Sequence, residues 1–313
     1  MTDQPIGLPP SASDALTPGP TSGPSAAGPS APAPPSGPPR RRARVNPSLL
    51  VGAGLVGLVV AAALLSYVWT PYDPLYVDAT ARLQRFSAEH WLGTDRFGRD
   101  VLSRILHGAR TTLFVGVVAV GVAALIGVPL GIFAAMTRPW LGTLVMRACD
   151  ILLAFPALLL AIMFSAVFGG STLTAMVAIG IASIPTFARV VRAGALQVLA
   201  SEYVLAARAA GRRPLAIAWR HVLPNVGSIV IVQSSVAFAI AILAEAALSF
   251  LGLGTPPPTP SWGLMLQESQ AMLFLAPRLA VVPGVAVALA VLGFNLLGDG
   301  LRDLLDPKME DQR

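Results

Sequence analysis

"EYVLAARAAGRRPLAIAWRHVLPN", residues 202–225, stands between two runs apolar enough to cross a membrane, 173–190 and 226–250. A connector between neighbouring helices needs only a handful of residues, yet more than twenty are used here, and they are patterned. Read as a helix, 201–210 puts Leu199, Tyr203, Ala206, Ala207 and Ala210 near one face, with Glu202 and Arg208 away from it. Gly211 permits a C-terminal cap, Pro214 suits the first turn of a second short helix, and Pro224 stops that helix before the next span. The stretch reads as a helix–turn–helix elbow whose small-residue face lets another protein approach closely. The competing reading is an amphipathic helix resting on headgroups, with its arginines on anionic lipid. Such anchors favour Leu, Phe or Trp, and alanines occupy the face instead.

The rest of the chain supplies the spans that the elbow connects. Of 313 residues, 54% are hydrophobic and 12% charged, and the mean hydropathy is +0.68. Soluble domains carry about 25% charged residues, so this is an integral membrane protein. Six apolar runs are long enough to cross: 49–69, 112–136, 148–168, 173–190, 226–250 and 279–297. The first follows "RRRARVNP" and looks at first like a signal sequence. At 21 residues it exceeds the roughly 7–15 of a signal core and is taken as a retained span. A seventh candidate, "WGLMLQESQAMLFLAP", is short, contains Glu268 and follows "TPPPTPS". It reads as a re-entrant or surface helix.

Residues 1–44 form a Pro/Ser/Gly/Ala-rich tail with a basic end, too poor in apolar surface to order itself. The remainder divides into 45–111 (first span and outer loop), 112–300 (a core containing the elbow at 201–224) and a tail at 301–313. With both termini in the cytoplasm, fifteen of the 22 basic side chains fall inside and seven outside, as the positive-inside rule asks. The long first outer loop, with six of those seven, is the exception. The elbow then faces the cytoplasm.

"LAARAAGRRPLAIAWRHVLP" resembles the coupling motif of ABC-importer permeases: Glu-Ala-Ala, three residues, Gly, and a spacer ending His-x-Leu-Pro. The matching positions are Leu205, Ala206, Ala207, Gly211, His221, Leu223 and Pro224. Leu205 stands where the family carries Glu, and Glu202, one turn earlier, is the candidate to replace it, with Arg208 beside it. "HWLGTDRFGRDVLSRILHGARTTL", "DILLAFPALLLAI", "AEAALSFLGLGTPPPTPSWG" and "NLLGDGLRDLLDP" are similar to segments of the dipeptide/oligopeptide (and nickel) branch, C-type subunit. The resemblance covers about 45–307. It implies an all-α type I importer permease with six transmembrane helices and a cytoplasmic coupling helix, in a bacterial inner membrane. It implies a second, different permease subunit, two ATPase subunits that bind ATP and Mg, an extracytoplasmic substrate-binding protein, and lipid around the spans. No cofactor on this chain and no nucleic-acid partner are expected. The cargo implied is a di- or oligopeptide, with nickel or another small solute as the alternative.

Single residues carry two readings each. Glu245, five residues before the end of the fifth span, is expensive there unless it faces protein or water. It reads either as part of the translocation path or as a hydrogen bond holding two helices together. The outer-loop residues Asp95, Arg96, Arg99 and Asp100 read either as internal ion pairs or as a docking surface for the binding protein. Asp150, at the inner end of the third span, reads as a structural cap or a salt bridge to Arg147 or Arg192, ahead of a substrate role. Pro129, Pro156, Pro185 and Pro283 fall in or near spans, where they can kink a helix.

Catalysis by this chain is disfavoured. A P-loop needs Gly-Lys-Ser/Thr, and the sole lysine, Lys308, follows Pro307. His90, His107 and His221 all lie outside the apolar runs, and with the single Cys149 they form no metal-ligand cluster. A self-sufficient secondary transporter remains as an alternative class. Such folds carry internal repeats and buried ionisable groups, and they have no need of the elbow.

Overall fold

The computed structural model describes residues 47–305. The proline-rich tail, Arg40, Arg41, Arg42 and Arg44, and the end of the chain with Lys308 lie outside the described residues. Within them the chain is helical: α1 (Pro47–Val68), α2 (Val101–Met136), α3 (Pro139–Ala154), α4 (Ala157–Phe168), α5 (Thr172–Leu199), α6 (Glu202–Ala209), α7 (Pro214–Ile217), α8 (Leu223–Phe250), α9 (Trp262–Ser269) and α10 (Arg278–Leu305). A π-helical turn, Ala218–Val222, joins α7 to α8. The only extended pairing among the described residues is an isolated bridge between Thr94 and Asp100.

Five helical stretches are long and apolar enough to cross a membrane: α1, α2, α5, the continuous run Pro214–Phe250, and α10. The sixth span, expected as one helix over 148–168, is broken. α3 and α4 meet at an angle of 82°. The cause is Pro156, which has no N–H to donate and whose ring disfavours the helical region for the residue before it. Phe155 accordingly sits at φ −86°, ψ 128°. By contrast Pro129, Pro185 and Pro283 remain inside continuous helices. α2 also starts eleven residues earlier than the apolar run, at Val101, where Asp100 caps it by accepting from the Ser103 N–H. The boundary expected at 111/112 therefore falls inside a helix.

Two ends can be told apart. At one, which we call the cap, the loop before α2 packs on α9 and the start of α10. Trp262 donates its indole N–H to the Ile105 carbonyl at 3.0 Å, Thr111 donates to Pro260, and Arg278 donates to the carbonyls of Leu83 and Gln84. At the other end α5 runs into the elbow. The 28 residues of α8, at about 1.5 Å each, carry the chain some 40 Å from elbow to cap. α1 begins and α10 ends on the elbow side, where a Cβ at Gly300 would collide with Leu49. Small residues at such crossings let membrane helices approach closely.

Candidate functional site

The elbow is built from two short helices with a turn between them. α6 ends in a Schellman arrangement: the Gly211 N–H donates to the Arg208 carbonyl at 2.9 Å and the Arg212 N–H to the Ala207 carbonyl at 3.1 Å. Gly211 takes φ +74°, which glycine adopts without the Cβ penalty. Pro214 then opens α7 at its first position, where the missing N–H costs nothing. Pro224, near the start of α8, cannot donate to the turn before it. Asn225 beside it donates its side-chain amide to the His221 carbonyl at 2.6 Å. His221 also lies against Tyr203 of α6, ring centroids 5.8 Å apart.

Three side chains pin this unit to the bundle. Val204, Ile217 and Val222 are at most 2% exposed and pack with Val128 and Ile132 of α2, Val191, Ala195 and Leu199 of α5, and Val226 of α8. The small-residue face read from the sequence omitted Val204, the one residue of α6 that is fully buried. Ala206, Arg208, Glu202 and Gly211 are exposed, as are Leu205, Leu215 and Trp219. The last three are the bulky groups that the alanine argument had set aside. Geometry alone thus leaves the elbow surface compatible with a protein partner or with headgroups.

At the cap, Asp95, Arg99 and Arg104 join Glu268 of α9 in a buried cluster. Arg99 donates Nε to Asp95 Oδ2 at 2.7 Å and Nη2 to Glu268 Oε2 at 2.8 Å. Arg104 donates Nη1 to both carboxylates at 2.7 Å. Asp100 is spent on the α2 N-terminus and on His90 Nδ1, 2.9 Å away. Of the four residues considered for docking, three are therefore buried in ion pairs or caps within the chain. Arg96 alone reaches the surface, beside a cleft of about 510 Å³ that it lines with Gln267, Glu268, Gln270 and Ala271. Glu268, the only acid in its short apolar segment, was the signal that its arginine partners lay elsewhere.

Glu245 is 1% exposed. Its Oε1 accepts from Ser249 at 2.7 Å and Thr255 at 3.3 Å, and the Ser249 hydroxyl accepts from the Thr255 N–H. The carboxylate thus faces a loop of its own chain, the one leaving α8, and no open surface. Asp150 pairs with Arg189 of α5, Nη2 to Oδ1 2.7 Å, and not with Arg147 or Arg192. One and two further turns along the α5 surface stand Ala193 and Gln197, also exposed. Among the described residues no group of three or more His, Cys, Asp or Glu could hold a metal ion.

Comparison with known proteins places the chain in a family. Residues 127–311 match the family described as binding-protein-dependent transport system inner membrane component. The chain is 42% identical over 270 residues to the dipeptide transport system permease protein DppC of Alkalihalophilus pseudofirmus, covering 86% of this chain and 89% of that one. It is 44% identical over 262 residues to the glutathione transport system permease protein GsiD of Pectobacterium atrosepticum, covering 83% and 87%. Among solved structures, an inward-facing conformation of the MetNI methionine ABC transporter superposes with a TM-score of 0.55. At 19% identity over 65% of this chain and 96% of that one, this likeness speaks for the fold alone.

Proposed function

The chain belongs to the binding-protein-dependent transport system inner membrane components, and from that premise we propose that its cargo is a di- or oligopeptide. It is a multi-pass inner-membrane permease subunit of an ATP-driven importer. It catalyses nothing itself and binds no cofactor; the ATP is used by partner ATPases, and a binding protein supplies the solute. The relatives named above are dipeptide and glutathione permeases, and glutathione is itself a peptide, which is what supports the cargo.

The observation that carries the mechanism is the elbow, anchored by Val204, Ile217 and Val222, with Ala207 and His221 half-buried and Glu202, Leu205, Ala206, Arg208 and Gly211 exposed. Its anchors touch α2, α5 and α8 together, so a push on α6 is delivered to three spans and not to one. In our reading the elbow docks on an ATPase subunit, and closure of that subunit tilts the spans between states open to opposite sides. The nucleotide supplies the differential affinity that a two-state element requires. Glu202 supplies the acidic contact that Leu205 lacks.

The elbow side is read as cytoplasmic, with both termini there, because it carries nine of the sixteen described arginines, against seven at the cap. A second, different permease completes the path. The binding protein docks at the cap through the Arg96 cleft, while Asp95, Arg99 and Asp100 hold that surface in shape. Glu245 fixes the closure at the cap end of α8.

The test is uptake of a labelled dipeptide by the complete importer, with its binding protein, in sealed proteoliposomes. ATP-dependent accumulation supports the peptide reading. Stimulated hydrolysis without accumulation of any di- or tripeptide contradicts it.

A further inference from the structure

In the elbow-side half of α5 the exposed face carries polar groups where a lipid-facing surface would be apolar. Thr186, Arg189, Ala193 and Gln197, spaced by three and four residues, are all exposed on it. Only Leu196, near the elbow, adds a large apolar group to this stretch. The exposed residues of α10, by contrast, include Val281, Val285 and Leu292, a composition that suits hydrocarbon.

Arg189 stands 17 residues into α5 from its cap end, about 26 Å along the axis. That places it just inside the elbow-side boundary of a hydrocarbon core about 30 Å thick. Here it pairs with Asp150 at 2.7 Å, and the two side chains are 56% and 49% exposed. The ion pairs of the cap are buried on the same chain, and this one is not. Charges at such depth face a bundle interior or a water-filled cavity, and Arg189 turns across to α3 instead of running along α5 towards the headgroups. Asp150 also lies about one turn before the break at Phe155–Pro156. One member of the pair is thus mounted on the bent stretch α3–α4 and the other on the continuous helix α5.

We propose that Asp150 and Arg189 form a charge-matched station for cargo at the elbow-side mouth of the path. The ammonium of a zwitterionic peptide meets Asp150 and its carboxylate meets Arg189 as the two side chains part, and the pair closes again behind the cargo. Each charge in transit then exchanges one partner for another and is never left bare. This rests on the peptide reading above.

The experiment uses the complete importer, purified from its own host and reconstituted with its binding protein. Uptake of labelled dialanine and binding-protein-stimulated ATP hydrolysis are measured for wild type, Asp150→Asn and Arg189→Gln. In parallel, in a Cys149→Ser background, Thr186→Cys and Ala193→Cys are exposed to a membrane-impermeant charged methanethiosulfonate, with Val285→Cys on α10 as the lipid-facing control.

The proposal expects uptake to fall at least tenfold in both single variants while stimulated hydrolysis stays within twofold of wild type. It also expects positions 186 and 193 to label at least tenfold faster than 285. Unchanged uptake overturns it. So does a parallel loss of uptake and hydrolysis, which marks a structural strut, or labelling at 186 and 193 no faster than at 285, which marks a face sealed by lipid or by the second permease. A wild-type importer that hydrolyses ATP but moves no dialanine overturns the peptide reading. Wild-type uptake matched by both variants overturns the station alone.

Discussion

Arg104 Nη1 lies 2.7 Å from Asp95 Oδ2 and 2.7 Å from Glu268 Oε2, so one nitrogen ties the loop before α2 to α9 across 164 residues of chain. Arg99 bridges the same two carboxylates. Two cations and two anions thus balance in a site where Arg104 is 1% exposed. The cap is held as one body by charge as well as by apolar packing.

Removing one member of such a cluster leaves an uncompensated buried charge, which costs about 3–5 kcal/mol. Arg104→Ala should therefore lower the thermal stability of the detergent-solubilised protein by an amount in that range. Arg96→Ala, at the surface of the same loop, should change it by less than about 0.5 kcal/mol. Equal effects of the two substitutions would contradict the cluster's structural role.

Gly211 makes a separable prediction. A Cβ there meets nothing within 4 Å, but the backbone is at φ +74°, so Gly211→Ala should cost about 1–2 kcal/mol locally without a clash. Gly211→Trp should leave the spans folded, judged by melting of the solubilised protein no lower than that of Gly211→Ala, while uptake drops at least tenfold below the alanine variant because the bulk stands on the docking surface. Normal uptake by Gly211→Trp would count against that surface.

Glu202 and Leu205 are one turn apart on the exposed side of α6. If Glu202 makes the acidic contact, Glu202→Ala should reduce transport-coupled hydrolysis about fivefold, roughly the 1 kcal/mol of one hydrogen bond. Adding Leu205→Glu should restore it. Coupled hydrolysis left intact by Glu202→Ala sinks the idea.

Arg96, at the rim of the cleft at the cap, should set the rate of encounter with the binding protein. Arg96→Glu is expected to raise the binding-protein concentration needed for half-maximal stimulation at low salt, with the difference from wild type shrinking as salt screens it. A salt-independent effect, or none, would move the docking surface elsewhere.

Local chemistry carried much of this fold into plain view of the sequence. Gly211, Pro214 and Pro224 punctuate the elbow because positive φ, a fixed φ and a missing N–H are properties of single residues. Glu268, in an otherwise apolar segment, likewise kept 262–277 from being read as a span. What stayed hidden depended on partners distant in sequence. Val204 looks like any apolar residue of a short helix until α2 and α5 arrive to bury it. Asp95, Arg99 and Arg104 look like a mixed-sign surface until Glu268 is brought beside them. The sequence offers Asp150 the neighbours Arg147 and Arg192, and only the crossing of α3 with α5 brings Arg189 to it instead. The break at Pro156 was readable as a kink, but its 82° angle was not, since neighbouring helices decide how far a freed backbone swings.

The central claim is that the elbow meets an ATPase. A photo-crosslinking amino acid at position 206, on the exposed side of α6 between the anchors, tests it in intact membranes of the native host. The account predicts an adduct with an ATPase subunit whose yield changes when nucleotide is trapped by vanadate. Adducts with lipid alone, in membranes where the importer still works, would contradict it.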